Sequence, residues 1–361
     1  MKIAIVVGTR PELIKMSPIV RELEKQSLDY FILHSGQHYS YNMDEIFFKE
    51  LGIPKPKYNL RVGSGSHAEE TGKILIGIEK VLKRENPNIV LVEGDTNTVL
   101  AGALAATKLK ISVGHVEAGL RSYDRSMPEE INRVLTDHIA DFLFTPTEKA
   151  KLNLINEGIS ETKIFITGNT IVDALIQNLE YAKKKSRILN RFEITSKEYF
   201  LVTAHREENV DNVKRLSGIL NGLKLIHEEF KLPVIFPIHP RTLRRIKEFN
   251  LSFDGLTLIE PLGYFDFLKL ESEAKLILTD SGGIQEEACI LKVPCVTLRY
   301  NTERPETLDV GANVLVGAEP ERILEGAKLM LSRSNNWDNP FGDGQAGKRI
   351  VKILVEKWLR Y

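Results

Sequence analysis

Short apolar runs alternate with longer segments of helical periodicity almost from end to end of this chain. Brief apolar runs bounded by turn residues fit buried strands, and apolar positions recurring every three to four residues over longer stretches fit amphipathic helices. The pattern predicts strands at 2–7, 29–34, 88–93, 111–116, 142–145, 164–167, 199–203, 233–237, 256–260, 276–279 and 295–298. It predicts helices near 11–25, 66–85, 96–108, 129–140, 147–157, 169–186, 211–230, 240–249, 264–272, 283–291 and 318–333. A last helix, 346–360, follows a Gly/Asn/Pro-rich stretch. This alternation implies an α/β protein whose parallel sheets are covered by helices on both faces and bind ligands beyond the carboxyl ends of their strands.

With 361 residues the chain exceeds what one core usually organises, so two domains are expected. The rhythm breaks at Tyr181-Ala182-Lys183-Lys184-Lys185-Ser186-Arg187, ahead of a fresh strand at Tyr199, which puts the junction at about 168–190. The expected division is a first domain over 1–170, a second over 171–345, and a terminal helix within 346–361 that packs back on the first.

Composition narrows the function. The 42% hydrophobic and 27% charged fractions are those of an ordinary soluble globular protein. Forty-nine basic residues against forty-nine acidic ones leave no surplus of cations, which argues against a nucleic-acid partner. The apolar start, Met1 to Gly8, is too brief for a signal-peptide core, and no stretch approaches the roughly 18–20 apolar residues that span a bilayer. A cytoplasmic location without membrane attachment is expected. Cys289 and Cys295, the only cysteines, read as small buried hydrophobes rather than a disulfide or a metal pair.

The densest chemical signal is Leu276-Ile277-Leu278-Thr279-Asp280-Ser281-Gly282-Gly283-Ile284-Gln285-Glu286-Glu287. An apolar strand ends in an acid, a hydroxyl and two glycines, and a helix begins. Small residues there let backbone N–H groups converge at the positive end of the helix, which suits an anion. Arg304 could add a cation; a tight βα turn with dipole-complementing glutamates remains the plainer account. In the first half, strand 2–7 runs into Gly8-Thr9-Arg10-Pro11-Glu12, where Pro11 suits the first helical position and Thr9 or Arg10 the cap. Arg10 and Lys15 would face a diphosphate or stand as solvated cations. Asp95, at the end of strand 88–93, is either an N-cap or a working acid. Glu117 sits at the equivalent edge of the next strand. Glu129 follows Pro128, where complementing the dipole and pairing with Arg133 would account for it. His205 ends strand 199–203 and is either a phosphate-facing imidazole or a bonded loop histidine.

Other patterns point away from further cofactors. No GxxxxGK[ST] or HExxH occurs. Gly63-Ser64-Gly65-Ser66-His67-Ala68 mimics a dinucleotide fingerprint but follows no first strand, so it reads as a loop and N-cap. His34 and His38 flank a strand end and a glycine, a poor metal pair.

These segments, in this order, resemble the non-hydrolysing UDP-N-acetylglucosamine 2-epimerases. The resemblance rests on Gly8–Glu12, Gly94-Asp95-Thr96, His115–Arg121, Pro128–Arg133, Gly168-Asn169-Thr170, His205-Arg206, Asp280–Glu287 and Glu303-Arg304-Pro305, spanning nearly the whole chain. It implies two Rossmann-like domains in the GT-B arrangement with an interdomain active-site cleft, as a homodimer. It further implies uridine diphosphate held mainly by the second domain, with Ser281, Gly282 and Gly283 on the phosphates, Glu287 on the ribose hydroxyls and Phe267 beside the uracil. Arg10, Lys15, His205 and Arg304 would complete that site, and Asp95, Glu117 and Glu129 match the catalytic carboxylates. Gln37 and His38 match part of a second, regulatory site of some bacterial relatives. Leu262 stands where many relatives have Gln, and Glu207 where a second arginine is common.

The resemblance implies reversible conversion of UDP-N-acetylglucosamine to UDP-N-acetylmannosamine by anti elimination of UDP to 2-acetamidoglucal and its re-addition, with no cofactor and no metal. Such a route needs stabilisation of a departing diphosphate and two proton-transfer groups on opposite sugar faces. The competing expectations are a GT-B UDP-sugar glycosyltransferase, a hydrolysing epimerase releasing UDP and N-acetylmannosamine, and a non-enzymatic nucleotide-sugar sensor.

Overall fold

The computed structural model describes residues 1–36 and 48–358. Two parallel sheets form among them. The first contains β1 (Lys2–Val7), β2 (Asp29–His34), β3 (Tyr58–Asn59), β4 (Ile89–Glu93), β5 (Ser112–Val116), β6 (Phe142–Thr145) and β7 (Ile164–Ile166), in the order β3-β2-β1-β4-β5-β6-β7. The second contains β8 (Phe200–Thr203), β9 (Val234–Pro237), β10 (Leu256–Ile259), β11 (Leu276–Thr279), β12 (Cys295–Thr297) and β13 (Asn313–Leu315), in the order β10-β9-β8-β11-β12-β13. Each is a doubly wound, Rossmann-like sheet whose strand order reverses direction once, between β1 and β4 in one and between β8 and β11 in the other.

All eleven expected strands form, with ends within one residue of the pattern. The pattern missed β3 and β13, both edge strands of two and three residues, too short to carry a periodicity. It also missed the short helices Ile188–Arg191, Glu207–Val210 and Pro305–Asp309 for the same reason. The first long helix begins one residue earlier than expected, at Arg10, with Thr9 as its N-cap and Pro11 just inside. Thr9 makes no side-chain cap bond, so the prolyl ring, lacking an N–H to satisfy, stands in for capping there. The glycine-rich 63–68 segment behaves as a loop and cap, with Ser66 and Glu69 forming a reciprocal capping box.

The chain divides into two compact units, Met1–Gln177 with Phe341–Tyr361, and Asn178–Pro340. In the second unit, alternate residues of each strand enter opposite cores. Phe200, Val202, Val234, Phe236, Leu276, Leu278 and Val296 pack on one face. Tyr199, Leu201, Ile235, Ile277 and Cys295 pack on the other. Strands buried on both faces read as continuous apolar runs, which is why they were legible in sequence. Cys289 and Cys295 are buried and unbonded to each other, and burial pushes the Cys289 thiol up to about 12. In the first unit, the Ala-rich helix Asn97–Lys108 lies close on the sheet, with Gly102 facing Val6 and Val92. The helix Ala346–Trp358 closes this unit: Asp173 accepts the Ala346 and Gly347 N–H groups at its start, at 3.1 and 2.9 Å.

Candidate active site

The two places where strand order reverses concentrate the chemistry. In the first unit these are the turns after β1 and β4. Gly8 leaves β1 so close to its neighbours that an added Cβ would lie 2.2 Å from Thr98 Oγ1 and 2.4 Å from Ser35 Oγ, so only glycine fits. The helix that follows presents Glu12 and Lys15 inward, 2% and 7% exposed. Glu12 accepts the Gly8 N–H at 2.5 Å and the Thr96 hydroxyl at 2.7 Å. Burial nevertheless raises its carboxyl to about 7.

Lys15 does not stand as a solvated cation. Its ammonium pairs with Glu117 and lies 3.2 Å from Glu93 Oε1, the last residue of β4. Glu117 follows β5 with φ +67°, a left-handed backbone that costs a glutamate energy and is held only when its surroundings demand it. Asn169 Nδ2 donates to the same carboxylate oxygen at 3.3 Å. Asp95, half-buried after β4, is ion-paired to Arg133. The Asn132 side chain bonds the Asp95 carbonyl at 2.9 Å.

Arg133, which the sequence paired with Glu129, bridges Asp95 and Glu130, the latter at 2.7 Å. Glu130 in turn accepts the Ser122 and Tyr123 N–H groups at 3.0 and 2.8 Å, fixing the loop that enters this helix. Glu129 sits half-buried in the first turn, with no hydrogen-bond or ion-pair partner among the described residues. Arg10 is half-buried at the first helical position. Gln37 and His38 lie outside the described residues. His34 is buried, and its Nδ1 accepts the Gly36 N–H at 3.0 Å.

In the second unit, the corresponding turns follow β8 and β11. Asp280, fully buried, gathers the His205 N–H at 3.0 Å, the Arg206 N–H at 3.0 Å and the Asn209 amide at 3.2 Å. That clamp holds the two turns together and leaves the His205 imidazole about half exposed, its Nδ1 3.5 Å from Asp280. Ser281 is the N-cap of the helix Gly282–Ile290 and makes no side-chain cap bond. A Cβ on Gly282 would lie 2.1 Å from Glu303 Oε1, whereas one on Gly283 would meet nothing nearer than 4.0 Å. Packing therefore dictates Gly282, while Gly283 borders open space at the helix's positive end, where an anion fits.

Arg304 is buried in this cluster, 2.8 Å from Glu286 and 3.6 Å from Glu303, and Arg299 lies 2.9 Å from Glu303. Phe267 and Leu262 pack half-buried against the second core. Glu207 is ion-paired to Arg241 at the surface. Glu287, half-buried one turn into the helix, faces Glu271, whose carboxyl burial and Glu287 together push well above the ordinary range.

Sequence reasoning missed Glu12, Glu93, Asn169 and Glu271. Glu93 had a signal: an acid closing an otherwise apolar strand, next to a glycine, has no place in a dry sheet without a partner. Among the described residues no group of three or more His, Cys, Asp or Glu could hold a metal ion, and no helix is long and apolar enough to cross a membrane.

Comparison with known proteins finds relatives over nearly the whole chain. A family model described as UDP-N-acetylglucosamine 2-epimerase matches residues 21–355. The UDP-N-acetylglucosamine 2-epimerase of Methanocaldococcus jannaschii is 61% identical over 98% of this chain and 99% of its own. Its crystal structure in complex with UDP-GlcNAc and UDP superposes with a TM-score of 0.94, covering 99% of this chain and 100% of that one. A Pseudomonas aeruginosa relative, 44% identical over 99% of this chain and 100% of its own, is a UDP-2,3-diacetamido-2,3-dideoxy-D-glucuronate 2-epimerase.

Proposed function

This chain belongs to the UDP-N-acetylglucosamine 2-epimerase family, and from that premise we propose that it interconverts UDP-N-acetylglucosamine and UDP-N-acetylmannosamine without hydrolysing either. A base removes the C2 proton as the C1–O bond breaks; the electron pair of the C–H bond forms the C1–C2 double bond, and UDP departs with the pair of the C–O bond. UDP then returns to C1 of the 2-acetamidoglucal while a proton reaches C2 from the opposite face. Asp95, Glu117 and Glu129 serve the proton transfers. The N–H groups at Ser281, Gly282 and Gly283, with Arg10, His205 and Arg304, stabilise the departing diphosphate. Phe267 lies beside the uracil and Glu287 takes the ribose hydroxyls. The scheme asks for no redox cofactor and no metal.

The observation that carries this reading is the Glu117 carboxylate, buried in left-handed backbone beside Lys15 at the carboxyl end of β5. A strained, desolvated acid at a strand end supports proton transfer better than it supports capping or a surface salt bridge. A homodimer belongs to the same reading, and Ile131 and Leu135 form an exposed apolar stripe on the helix Pro128–Ile139 that suits it.

The deciding experiment incubates the purified chain with UDP-N-acetylglucosamine in deuterated water, with neither NAD nor metal added, and follows the sugar by NMR. UDP-N-acetylmannosamine carrying deuterium at C2 is expected. Inversion without deuterium would overturn the elimination scheme. Free N-acetylmannosamine would indicate hydrolysis, a glycoside formed on an added acceptor would indicate transfer, and binding without turnover would indicate a sensor. The Pseudomonas relative makes the diacetamido uronate the natural second substrate to assay in parallel.

A further inference from the structure

Lys15 sits among several buried carboxyls. Glu117 and Glu93 both lie on its ammonium, and all three side chains are nearly closed to solvent, at 7%, 6% and 1% exposure for Lys15, Glu117 and Glu93. Glu93 Oε1 is at ion-pair distance but outside hydrogen-bond geometry, and no other donor among the described residues reaches that oxygen. Glu12, on the same helix as Lys15, is the third carboxylate of the group. Three carboxyls this close in a dry site cannot all ionise cheaply, because low local dielectric magnifies their mutual repulsion. At least one of these carboxyls therefore holds a proton.

We propose that Glu93 is a positioning residue for the reaction: it stands as a neutral acid behind Lys15, leaves the ammonium to Glu117, and through that shared lysine sets how readily Glu117 takes or gives its proton. The inference rests on the assignment of Glu117 to proton transfer. Glu93 itself, at 1% exposure, is closed to solvent. Its partners decide which acid yields. Glu117 has the shorter contact with Lys15 and a second donor in Asn169, so it is the better-supported anion. Burial raises the Glu93 carboxyl well above the ordinary range despite the pull of Lys15, and Glu117 and Glu12 add to the rise. The titratable groups facing Glu93 are Lys15 and Glu12 from the helix after β1, and Glu117 from the end of β5.

The test is the pH profile of kcat in Glu93→Gln. A permanently neutral side chain reproduces the form proposed for Glu93, so the Glu117 limb should stay in place, and the ionisation contributed by Glu93, at which it begins to compete for Lys15, should vanish from the profile. KM for UDP-N-acetylglucosamine should change less than about twofold, because the side chain is closed to solvent. A profile superimposable on that of the parent would overturn the proposal and leave Glu93 a structural residue. If Glu93→Gln does not fold, Glu93→Asp keeps the acid but withdraws it from Lys15. There the limb contributed by residue 93 should be displaced relative to the parent, and no displacement would again refute the idea. Glu117→Gln, assayed alongside, separates the two levels. Full turnover in that variant removes the premise, whereas its inactivity with a Glu93→Gln profile superimposable on the parent's removes only this inference.

Discussion

His115 and Asp137 form a wholly buried pair, Nδ1 to Oδ1 at 2.6 Å, and the other ring nitrogen of His115 meets the Gly94 carbonyl at 2.8 Å. Both nitrogens face oxygen atoms, so the ring ties β5 to the turn that carries Asp95. Asp137 also receives Arg121 at 2.7 Å and the Gly119 N–H at 3.2 Å, anchoring the turn beyond Glu117. One carboxylate thus braces the turns that carry Asp95 and Glu117.

Removing that charge should be costly. Asp137→Asn takes the buried carboxylate from His115 and leaves Arg121 with Glu157 as its remaining acid, and a loss of about 3 kcal/mol or more in urea unfolding is expected. Burial works to raise the Asp137 carboxyl, but His115 and Arg121 outweigh it and hold it below the usual range. Its folded value is depressed, so its stabilisation is complete above the unfolded carboxylate range and is lost as pH falls through the folded value. An unchanged denaturation midpoint in Asp137→Asn would contradict the bracing role.

Glu12 has the opposite sign. Its carboxyl rises from 4.5 to about 7 on folding, so the native state binds more protons across that window. Stability contributed by this group is full below about 4.5 and declines as pH rises to about 7, by roughly 3 kcal/mol at most. Glu12→Gln keeps an acceptor for the Gly8 N–H and removes the titration. The variant should gain on the parent steadily between those limits in denaturation series at several pH values; a constant difference would count against it.

The two glycines at the second unit's helix start should separate cleanly. Gly282→Ala drives a methyl into Glu303, which is itself buried and held by Arg299, so a loss of about 1–3 kcal/mol is expected. Gly283→Ala has room, so its thermal midpoint should stay near the parent's while UDP affinity, read by calorimetry, falls by about tenfold or more. Undiminished UDP binding in Gly283→Ala would remove this helix start from the phosphate site.

For the proton-transfer acids, Asp95→Asn and Glu117→Gln should each bind UDP as the parent does yet lose turnover by on the order of a hundredfold. Near-normal turnover in either would remove that residue from the scheme.

What the sequence determined by itself was the fold class and the position of the strand-ending turns. Buried parallel strands must be apolar on both faces, so their runs stand out, and the turns that end them need Gly8, Gly94, Gly282 and other residues of special geometry. Only the tertiary structure decided which charges meet. Lys15 and Arg304 read along the chain as cations for a ligand, yet each is already engaged by acids distant in sequence, Lys15 by Glu93 and Glu117, Arg304 by Glu286. The edge strands β3 and β13 were equally hidden, since two or three residues pair through backbone and register rather than through any pattern of their own. Periodicity reports what a segment buries against its nearest layer; the electrostatic partners of a side chain depend on strands brought side by side from far along the chain, and no local spacing encodes them.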